Sequence, residues 1–398
     1  MKWEYKTLDQ LGTVSRGKSK HRPRNDPKLF GGKYPFIQTA DVKNADYYIT
    51  KYSDTYNESG LAQSKLWDKG TLCITIAANI ADTGVLAFPA CFPDSIMGFV
   101  PFEGVANTRF IKYCFDRLQR DCKQISQGTA QDNLSWEKLS TIKFCIPEYK
   151  EQCRIADILS AYDDLIENNQ KQIKLLEEAA QRLYKEWFVD LRFPGHENTK
   201  IVDGVPEGWS KSTVSEVSAI LRRGISPKYN EKARGIVINQ KCIRQTIVSY
   251  DEARTQEKKY PDELKMMESD ILICSTGAGT LGRVGQIFEA KENVTLDSHV
   301  TLIRANERVG QQYLFWSLKM QQDYLMSAGK GSTNQLELSR ETIGNCEILV
   351  PERKIAEQAE KNFVAIHNKM KECSMQIARL REARDLLLPN LMSGEVEA

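Results

Sequence analysis

The chain has 398 residues, of which 41% are hydrophobic and 27% are charged, and this composition is typical of a soluble globular protein with about two domains. No apolar run approaches the roughly 20 residues of a membrane span, and residues 1–12 contain no apolar signal region, so we expect a cytoplasmic protein. The formal net charge is only +2, so binding to a polyanion has to come from local basic patches or from partner chains.

The ten cysteines occur singly and none belongs to a CxxC pair. Several lie inside apolar runs, as Cys73, Cys145 and Cys274 do. This pattern predicts reduced core cysteines rather than disulfides or zinc ligands. The four histidines are scattered along the chain, so no metal site is predicted.

Residues 1–150 are predicted to form a globular domain of mixed α and β structure. Residues 71–76 are a short β-rich run bounded by turn residues, and residues 109–122 have the pattern of a helix. Pro147 closes the region and is followed by Glu151 and Gln152, where a long helical pattern begins.

Residues 151–190 are predicted to form one long helix. Apolar or small residues recur every three or four positions from Ile155 to Trp187, with Asn169 in the one polar place, and no Pro or Gly interrupts them. A helix of about 37 residues measures roughly 55 Å, which is more than the width of a small domain. Such a helix needs an equally long partner.

The segment that follows this helix, residues 191–208, is rich in Gly, Pro and polar residues. This composition predicts a linker.

Residues 209–354 repeat the first domain. Trp209 corresponds to Trp3, the Arg-Gly pair at Arg223 corresponds to the one at Arg16, and the closing prolines also correspond. The offsets between matched positions vary from 200 to 207 residues, so the two halves share a scaffold but differ in loop length.

Residues 355–392 are predicted to form the second long helix. Apolar residues from Ala359 to Leu391 recur at steps of four and three, and Arg384 occupies the one broken place. Two long apolar seams in one chain predict an intramolecular coiled coil. The alternative is a pair of ordinary amphipathic helices buried in separate domains.

Gly277, Gly279 and Gly282 match a GxGxxG pattern after a predicted strand. A dinucleotide site requires a helix after these glycines, but residues 283–290 have the pattern of another strand, so we predict a glycine-rich hairpin. The chain contains no P-loop, HExxH motif, nucleophile elbow or NPPY-like stretch. The sequence therefore predicts no catalytic residues, no metal and no cofactor of its own.

Two basic clusters occupy matched loops of the repeat and favour binding to nucleic acid, because Arg and Lys on loops neutralise phosphates and Arg also reads guanine. The alternative is a pair of solvated loops whose charge serves solubility. The clusters comprise Arg16, Lys18, Lys20, Arg22, Arg24 and Lys28 in the first half and Arg222, Arg223, Lys228, Lys232 and Arg234 in the second.

Further positions in predicted loops could contact bases, although each of them, taken alone, is better explained as an ordinary turn residue. These further positions are Gln38, Asn79, Gln131, Asn239, Lys241, Arg283 and Asn334. Together with the basic clusters, except Lys28 and Lys232, they form the predicted DNA-binding set.

The chain resembles the DNA-specificity subunit of Type I restriction–modification systems. The matching features are the duplicated opening Trp and Arg-Gly, the segment KYPFIQTADV, the segments ANIADTGVL and STGAGTLGRVGQI, the paired loops GTAQDNL and GSTNQLEL, and Pro followed by Glu-Gln and a long helix. The resemblance covers essentially the whole chain. No single motif is highly specific, but the duplicated order is.

This resemblance implies an α+β fold with two similar mixed α/β target recognition domains, separated by two long helices in an antiparallel coiled coil with a pseudo-twofold repeat. Each domain is then expected to read one half of a bipartite, asymmetric DNA target, and the helices to set the spacing. The helices are also expected to dock two adenine-methyltransferase subunits, which carry restriction–translocase subunits. S-adenosylmethionine and ATP with Mg²⁺ belong to those partners, and the chain itself is non-catalytic.

Two rival interpretations belong to other classes of protein. A fused methyltransferase or nuclease would bind S-adenosylmethionine on the isolated chain. A coiled-coil adaptor with two protein-binding lobes would show no salt-dependent binding to duplex DNA. A system that only methylates, without a restriction subunit, is a third case, which neighbouring genes would reveal. The sequence does not predict the bases that are read or the spacer length.

Overall fold

The computed structural model describes residues 3–76, 82–125, 136–329 and 336–396. No helix within these ranges is long and apolar enough to cross a membrane.

The chain divides into two compact units. One contains Met1–Asn168 with Gln376–Ala398, and the other contains Asn169–Met375. Each unit therefore combines one globular domain with a part of each of the two long helices.

The first unit is built on a five-stranded sheet with the order β2-β8-β6-β7-β4, and two strand pairs, β1-β9 and β3-β5, accompany it. Its central strands β6 and β7 are buried along their whole length. The strands are β1 Glu4–Lys6, β2 Gly12–Arg16, β3 Phe30–Phe36, β4 Tyr48–Ile49, β5 Asp54–Tyr56, β6 Leu72–Thr75, β7 Thr83–Leu86, β8 Ile96–Pro101 and β9 Phe144–Ile146, and the helices are α1 Leu8–Leu11, α2 Thr39–Lys43, α3 Glu58–Ala62, α4 Thr108–Ile125, α5 Trp136–Thr141 and the long α6 Tyr149–Tyr184.

The second unit is built on a four-stranded sheet with the order β13-β19-β16-β17, beside a three-stranded sheet β15-β14-β18 and the pairs β10-β11 and β12-β20. Its strands are β10 Ile201–Val202, β11 Val205–Pro206, β12 Ser210–Thr213, β13 Ser218–Arg223, β14 Gly235–Ile238, β15 Arg254–Gln256, β16 Ile271–Cys274, β17 Val284–Gln286, β18 Val294–Leu296, β19 Val300–Ala305 and β20 Glu347–Val350, and the helices are α7 Val214–Val217, α8 Gln311–Met320, α9 Gln322–Ser327, α10 Arg340–Gly344 and the long α11 Arg353–Ser393.

The two domains share one topology. The order β2-β8-β6-β7 in the first domain corresponds to β13-β19-β16-β17 in the second, and the pair β1-β9 corresponds to β12-β20. All pairs within these two strand orders are antiparallel. The internal repeat predicted from the sequence is therefore confirmed. The glycine-rich hairpin is also confirmed, because Gly277, Gly279 and Gly282 adopt positive φ in the connection between β16 and β17.

The long helices α6 and α11 pack together in each unit. In the first unit, Ile155 and Leu159 share a buried cluster with Leu388 and Leu391. In the second unit, Ala180 and Tyr184 of α6 share a buried cluster with Phe363 and Ala359 of α11. The early part of α6 thus packs with the late part of α11 in one unit, and the late part of α6 packs with the early part of α11 in the other, so the helices run antiparallel. The alternative of two separate amphipathic helices is wrong.

Arg384, the residue that breaks the apolar seam of α11, has a partner inside the first unit. Its guanidinium forms an ion pair with the buried carboxylate of Asp163 on α6. The hydroxyl of Tyr113 donates a second hydrogen bond of 2.5 Å to Asp163. Burial raises the pKa of Asp163, and the charge of Arg384 opposes this shift. The seam thus contains a satisfied polar contact rather than a defect.

Each long helix is joined to its own domain by a polar side chain that also caps a shorter segment. Gln152 of α6 accepts a hydrogen bond of 3.1 Å from the Asn107 amide, ahead of α4. Glu360 of α11 accepts hydrogen bonds of 3.0 and 2.8 Å from the amides of Gln312 and Tyr313, in the first turn of α8. Amides at the start of a helix have no partner within the helix, so these contacts anchor the domain to the long helix.

The segment predicted as a linker is ordered and packed. It contains the short hairpin of β10 and β11, with Gly204 at positive φ in the turn. Phe193 is buried, and its ring lies 4.6 Å from that of Trp209. Leu191 and Val205 pack against the same buried cluster. The composition of this segment predicted its turns but not these apolar contacts.

Candidate nucleic-acid interface

In the first domain, the basic loop leaves the sheet at the end where the β6–β7 hairpin turns. Arg16, the last residue of β2, lies opposite Met97, which lies opposite Ile74, which lies opposite Thr83. Beyond this row, the amide of Lys18 donates to the Phe92 carbonyl at 3.0 Å. The register therefore brings the start of the basic cluster and the hairpin connection to one end of the sheet.

The second domain repeats this arrangement. Arg223, the last residue of β13, lies opposite Thr301, which lies opposite Ile273, which lies opposite Val284. The glycine-rich connection between β16 and β17 follows immediately beyond this row, and Arg283 lies at its end. Matched basic residues and matched hairpins thus share one end of each sheet.

The glycine after each of these arginines is required by close packing. A Cβ at Gly17 would lie 2.3 Å from the Pro93 carbonyl oxygen, and one at Gly224 would lie 2.1 Å from the Leu296 carbonyl oxygen. Real Cβ atoms do not approach backbone so closely, so the Arg-Gly pair of the repeat combines an arginine at the sheet end with an obligatory small residue.

The first basic cluster contains both exposed cations and paired ones. The side chains of Arg16, Lys18 and Lys20 are exposed and form no ion pair with any described residue. Arg24 pairs with Asp94 at 2.7 Å, and Arg22 lies 3.9 Å from the same carboxylate. Lys28 is exposed in a short 3-10 helix, Pro27–Leu29.

The second cluster is largely neutralised by its own domain. Three of its cations pair with glutamates: Arg222 with Glu263, Arg223 with Glu337 and Lys228 with Glu257. Lys232 and Arg234 are exposed and pair with no carboxylate in the described part of the chain.

Two predicted base-contacting amides occupy corresponding turns. Gln38 precedes α2 and donates to Asp54 at 2.6 Å. Asn239 precedes the 3-10 helix Gln240–Cys242. It is only 7% exposed, accepts a hydrogen bond from the Lys241 amide at 2.8 Å and donates to the Glu252 carbonyl at 2.7 Å. Asn239 therefore acts as a helix cap with both ends of its amide engaged.

Two of the remaining predicted positions, Lys241 and Arg283, lie among the described residues. Lys241 is exposed and Arg283 is half-buried, and neither forms an ion pair within the described ranges. Asn79, Gln131 and Asn334 lie outside the described residues.

Sequence reasoning missed His299 at the sheet end of the second domain. Its ring is exposed and Nδ1 lies 2.6 Å from the Thr276 hydroxyl, while its amide donates to Asp297 at 2.8 Å. It immediately precedes β19, between the strand that ends at Arg223 and the glycine-rich hairpin. A single histidine in no motif carries no sequence signal, and only the register reveals its place.

These surfaces have the chemistry of polyanion binding. Exposed cations at a loop-rich sheet end can neutralise phosphates, and neighbouring polar groups can form hydrogen bonds with base edges. Among the described residues, no group of three or more His, Cys, Asp or Glu side chains could hold a metal ion.

Comparison with known proteins identifies the class to which this fold and these paired surfaces belong. The model of the Type I restriction modification DNA specificity domain matches residues 1–178 and 206–367. The chain therefore belongs to the Type I restriction–modification DNA-specificity family. The predictions of a specificity subunit rather than an enzyme, and of two mixed α/β domains with two packed long helices, are confirmed.

Individual relatives support the same membership. The chain is 25% identical over 415 residues to the Type I restriction enzyme MjaIX specificity subunit of Methanocaldococcus jannaschii, covering 99% of this chain and 93% of that protein. It is 26% identical over 335 residues to the HindI specificity subunit of Haemophilus influenzae, covering 66% of this chain and 71% of that protein. The fold is similar to the crystal structure of a Type I restriction–modification S subunit from M. genitalium, with a TM-score of 0.57, 18% identity and coverage of 98% and 96%.

Proposed function

We propose that each globular domain reads one half of a bipartite DNA target through the sheet end described above. The observation that carries the proposal is the repeated register. In each domain the basic loop begins in the same row of the sheet as the end of one hairpin strand and the start of the next, β6 and β7 in the first domain and β16 and β17 in the second. Two similar domains suit the two halves of a split site. Because their loops differ in sequence, the target is asymmetric.

We further propose that the helices α6 and α11 set the number of unread base pairs between the half-sites. Their antiparallel packing and their anchoring to the domains through Gln152 and Glu360 support this role. A rigid joint between a helix and a domain makes helix length a determinant of spacing.

The same helices are proposed to dock two adenine-methyltransferase subunits, which carry restriction–translocase subunits. Exposed leucines support an interaction surface on the helices, because Leu175 of α6 is 63% exposed and Leu386 of α11 is 68% exposed. S-adenosylmethionine and ATP with Mg²⁺ are then used by the partners, in the cytoplasm where the DNA lies.

The proposal is tested by sequencing methylated adenines in host DNA with and without this gene. We expect one asymmetric, bipartite motif to lose methylation when the gene is deleted and to regain it on complementation. An unchanged methylation pattern would contradict the proposed function.

A further inference from the structure

The second domain holds two arginines of its proposed DNA-binding surface in ion pairs with glutamates. Arg222 pairs with Glu263, and Arg223 pairs with Glu337. Arg223 also donates to the Leu338 carbonyl at 2.8 Å, so both ends of its guanidinium are engaged. Arg223 is the last residue of β13 and lies at the end of the sheet where the β16–β17 hairpin turns.

The first domain differs at the matched position. Arg16, which corresponds to Arg223, forms no ion pair with any described residue, and neither do Lys18 and Lys20. The repeat in the sequence also lacks a matching carboxylate in the first half. Asn133 stands before a Leu-Ser pair there, whereas Glu337 stands before the corresponding Leu-Ser pair of the second half.

We propose that Glu263 and Glu337 occupy the arginines of the second domain as internal substitutes for DNA phosphates, so that this domain engages DNA only by exchanging a carboxylate for a phosphate. The inference rests on the proposed function. The first domain then supplies the initial, salt-dependent contact with any duplex. The second domain adds little affinity for non-specific DNA and is reserved for DNA that is already held.

The chemistry of the pairs permits this exchange. A guanidinium donates charge-assisted hydrogen bonds to carboxylate and to phosphate oxygens alike, so a phosphate can take the place of the glutamate. The Glu337 side chain is 55% exposed and that of Glu263 is 48% exposed, so both carboxylates can leave into solvent. Exposed ion pairs are weak, and breaking one lowers affinity by at most about fivefold.

The test compares Glu263→Gln, Glu337→Gln and the double variant in the full-length chain. Binding to a random-sequence duplex is measured by fluorescence anisotropy over a range of salt concentrations. Each substitution should tighten binding by about two- to fivefold at low salt. Each should also steepen the slope of log K against log salt by up to about 0.9, because a freed arginine displaces a counterion from DNA.

Glu347→Gln is the matched control. Glu347 of β20 pairs with Lys211 of β12 at 3.2 Å. Strand β12 pairs with β20 and is followed in the chain by α7 and then by the start of β13, the end opposite Arg223. The substitution makes the same change in charge in the same domain. An equal gain in affinity for this control, or no gain for Glu263→Gln and Glu337→Gln, would overturn the inference, as would weaker binding by both variants.

A Lys18→Ala/Lys20→Ala variant separates this inference from the proposed function. If the double lysine variant weakens duplex binding while the glutamine variants match wild type, the inference alone fails. If wild type shows no salt-dependent binding and the lysine variant changes nothing, the proposed function itself fails.

Discussion

Arg384 of α11 and Asp163 of α6 form an ion pair in the seam between the two long helices, although 221 residues separate them in the sequence. Asp163 is buried and accepts a further hydrogen bond from Tyr113. A buried pair of this kind contributes little net stability but penalises any packing that separates its members. It therefore favours one alignment of the helices.

Replacing Arg384 by Leu should destabilise the protein by about 3–5 kcal/mol, because the Asp163 carboxylate would stay buried without its cationic partner. Urea unfolding measures this loss. The double variant Asp163→Asn/Arg384→Leu should recover a large part of it. Equal stability of Arg384→Leu and wild type would contradict the role assigned to the pair.

His367 makes stability depend on pH in the second unit. Its ring is buried against Phe288 and contacts the Gln286 side chain, and burial lowers its pKa to about 4. The unfolded chain takes up a proton near the ordinary value of 6.5, so this contribution to stability is present above pH 6.5 and is lost as the pH falls towards 4. We expect wild type to lose about 2 kcal/mol more than His367→Gln between pH 7 and pH 5, measured by urea unfolding. Equal losses would show that His367 does not titrate in this way.

The basic loop of the first domain should contribute to DNA binding through its unpaired members. Lys18→Ala and Lys20→Ala should each lower the salt slope of duplex binding by up to about one unit if each residue contacts a phosphate. Arg24→Ala is the matched comparison and should change the slope less, because Asp94 already neutralises Arg24. Unchanged slopes for both lysine variants would make the cluster a solvated loop.

The two domains should recognise DNA independently. Replacing residues 1–150 by the corresponding region of a relative should change one half of the methylated motif and leave the other intact. Sequencing of methylated adenines measures this. A change in both halves would mean that the domains form a single site.

Inserting one heptad into each long helix tests their role in spacing. Insertions after Lys171 and Lys371 lie near a contact between the helices, where the Cys373 sulfur is 3.8 Å from the Gln172 side-chain oxygen. Seven residues add roughly 10 Å, or about three base pairs of B-DNA and a third of a turn.

We expect the doubly extended protein to methylate the same half-sites with a gap wider by about two to four base pairs, or to lose activity because the domains face the wrong side of the duplex. A single insertion, which breaks the register of the helices, serves as the control for folding. An unchanged gap in an active protein would exclude the helices as determinants of spacing.

The sequence by itself determined the repeat, the two long helices and the glycine-rich hairpin. These features are local or periodic: a helix seam recurs every three or four residues, and a repeat needs only comparison of the chain with itself. Even the Arg-Gly pair at Arg16 was visible, although not the packing that requires its glycine.

Only the tertiary structure decided which charges are available and which are paired. The sequence presented Arg16 and Arg223 as equivalent, but Glu337 comes from 114 residues beyond Arg223 and neutralises it. In the sequence Arg384 only interrupts an apolar seam, and the fold supplies its partner, Asp163. The position of His299 at the end of the sheet follows only from the strand register. Electrostatic interactions depend on distance in space, and the fold brings together charges that the chain order keeps apart.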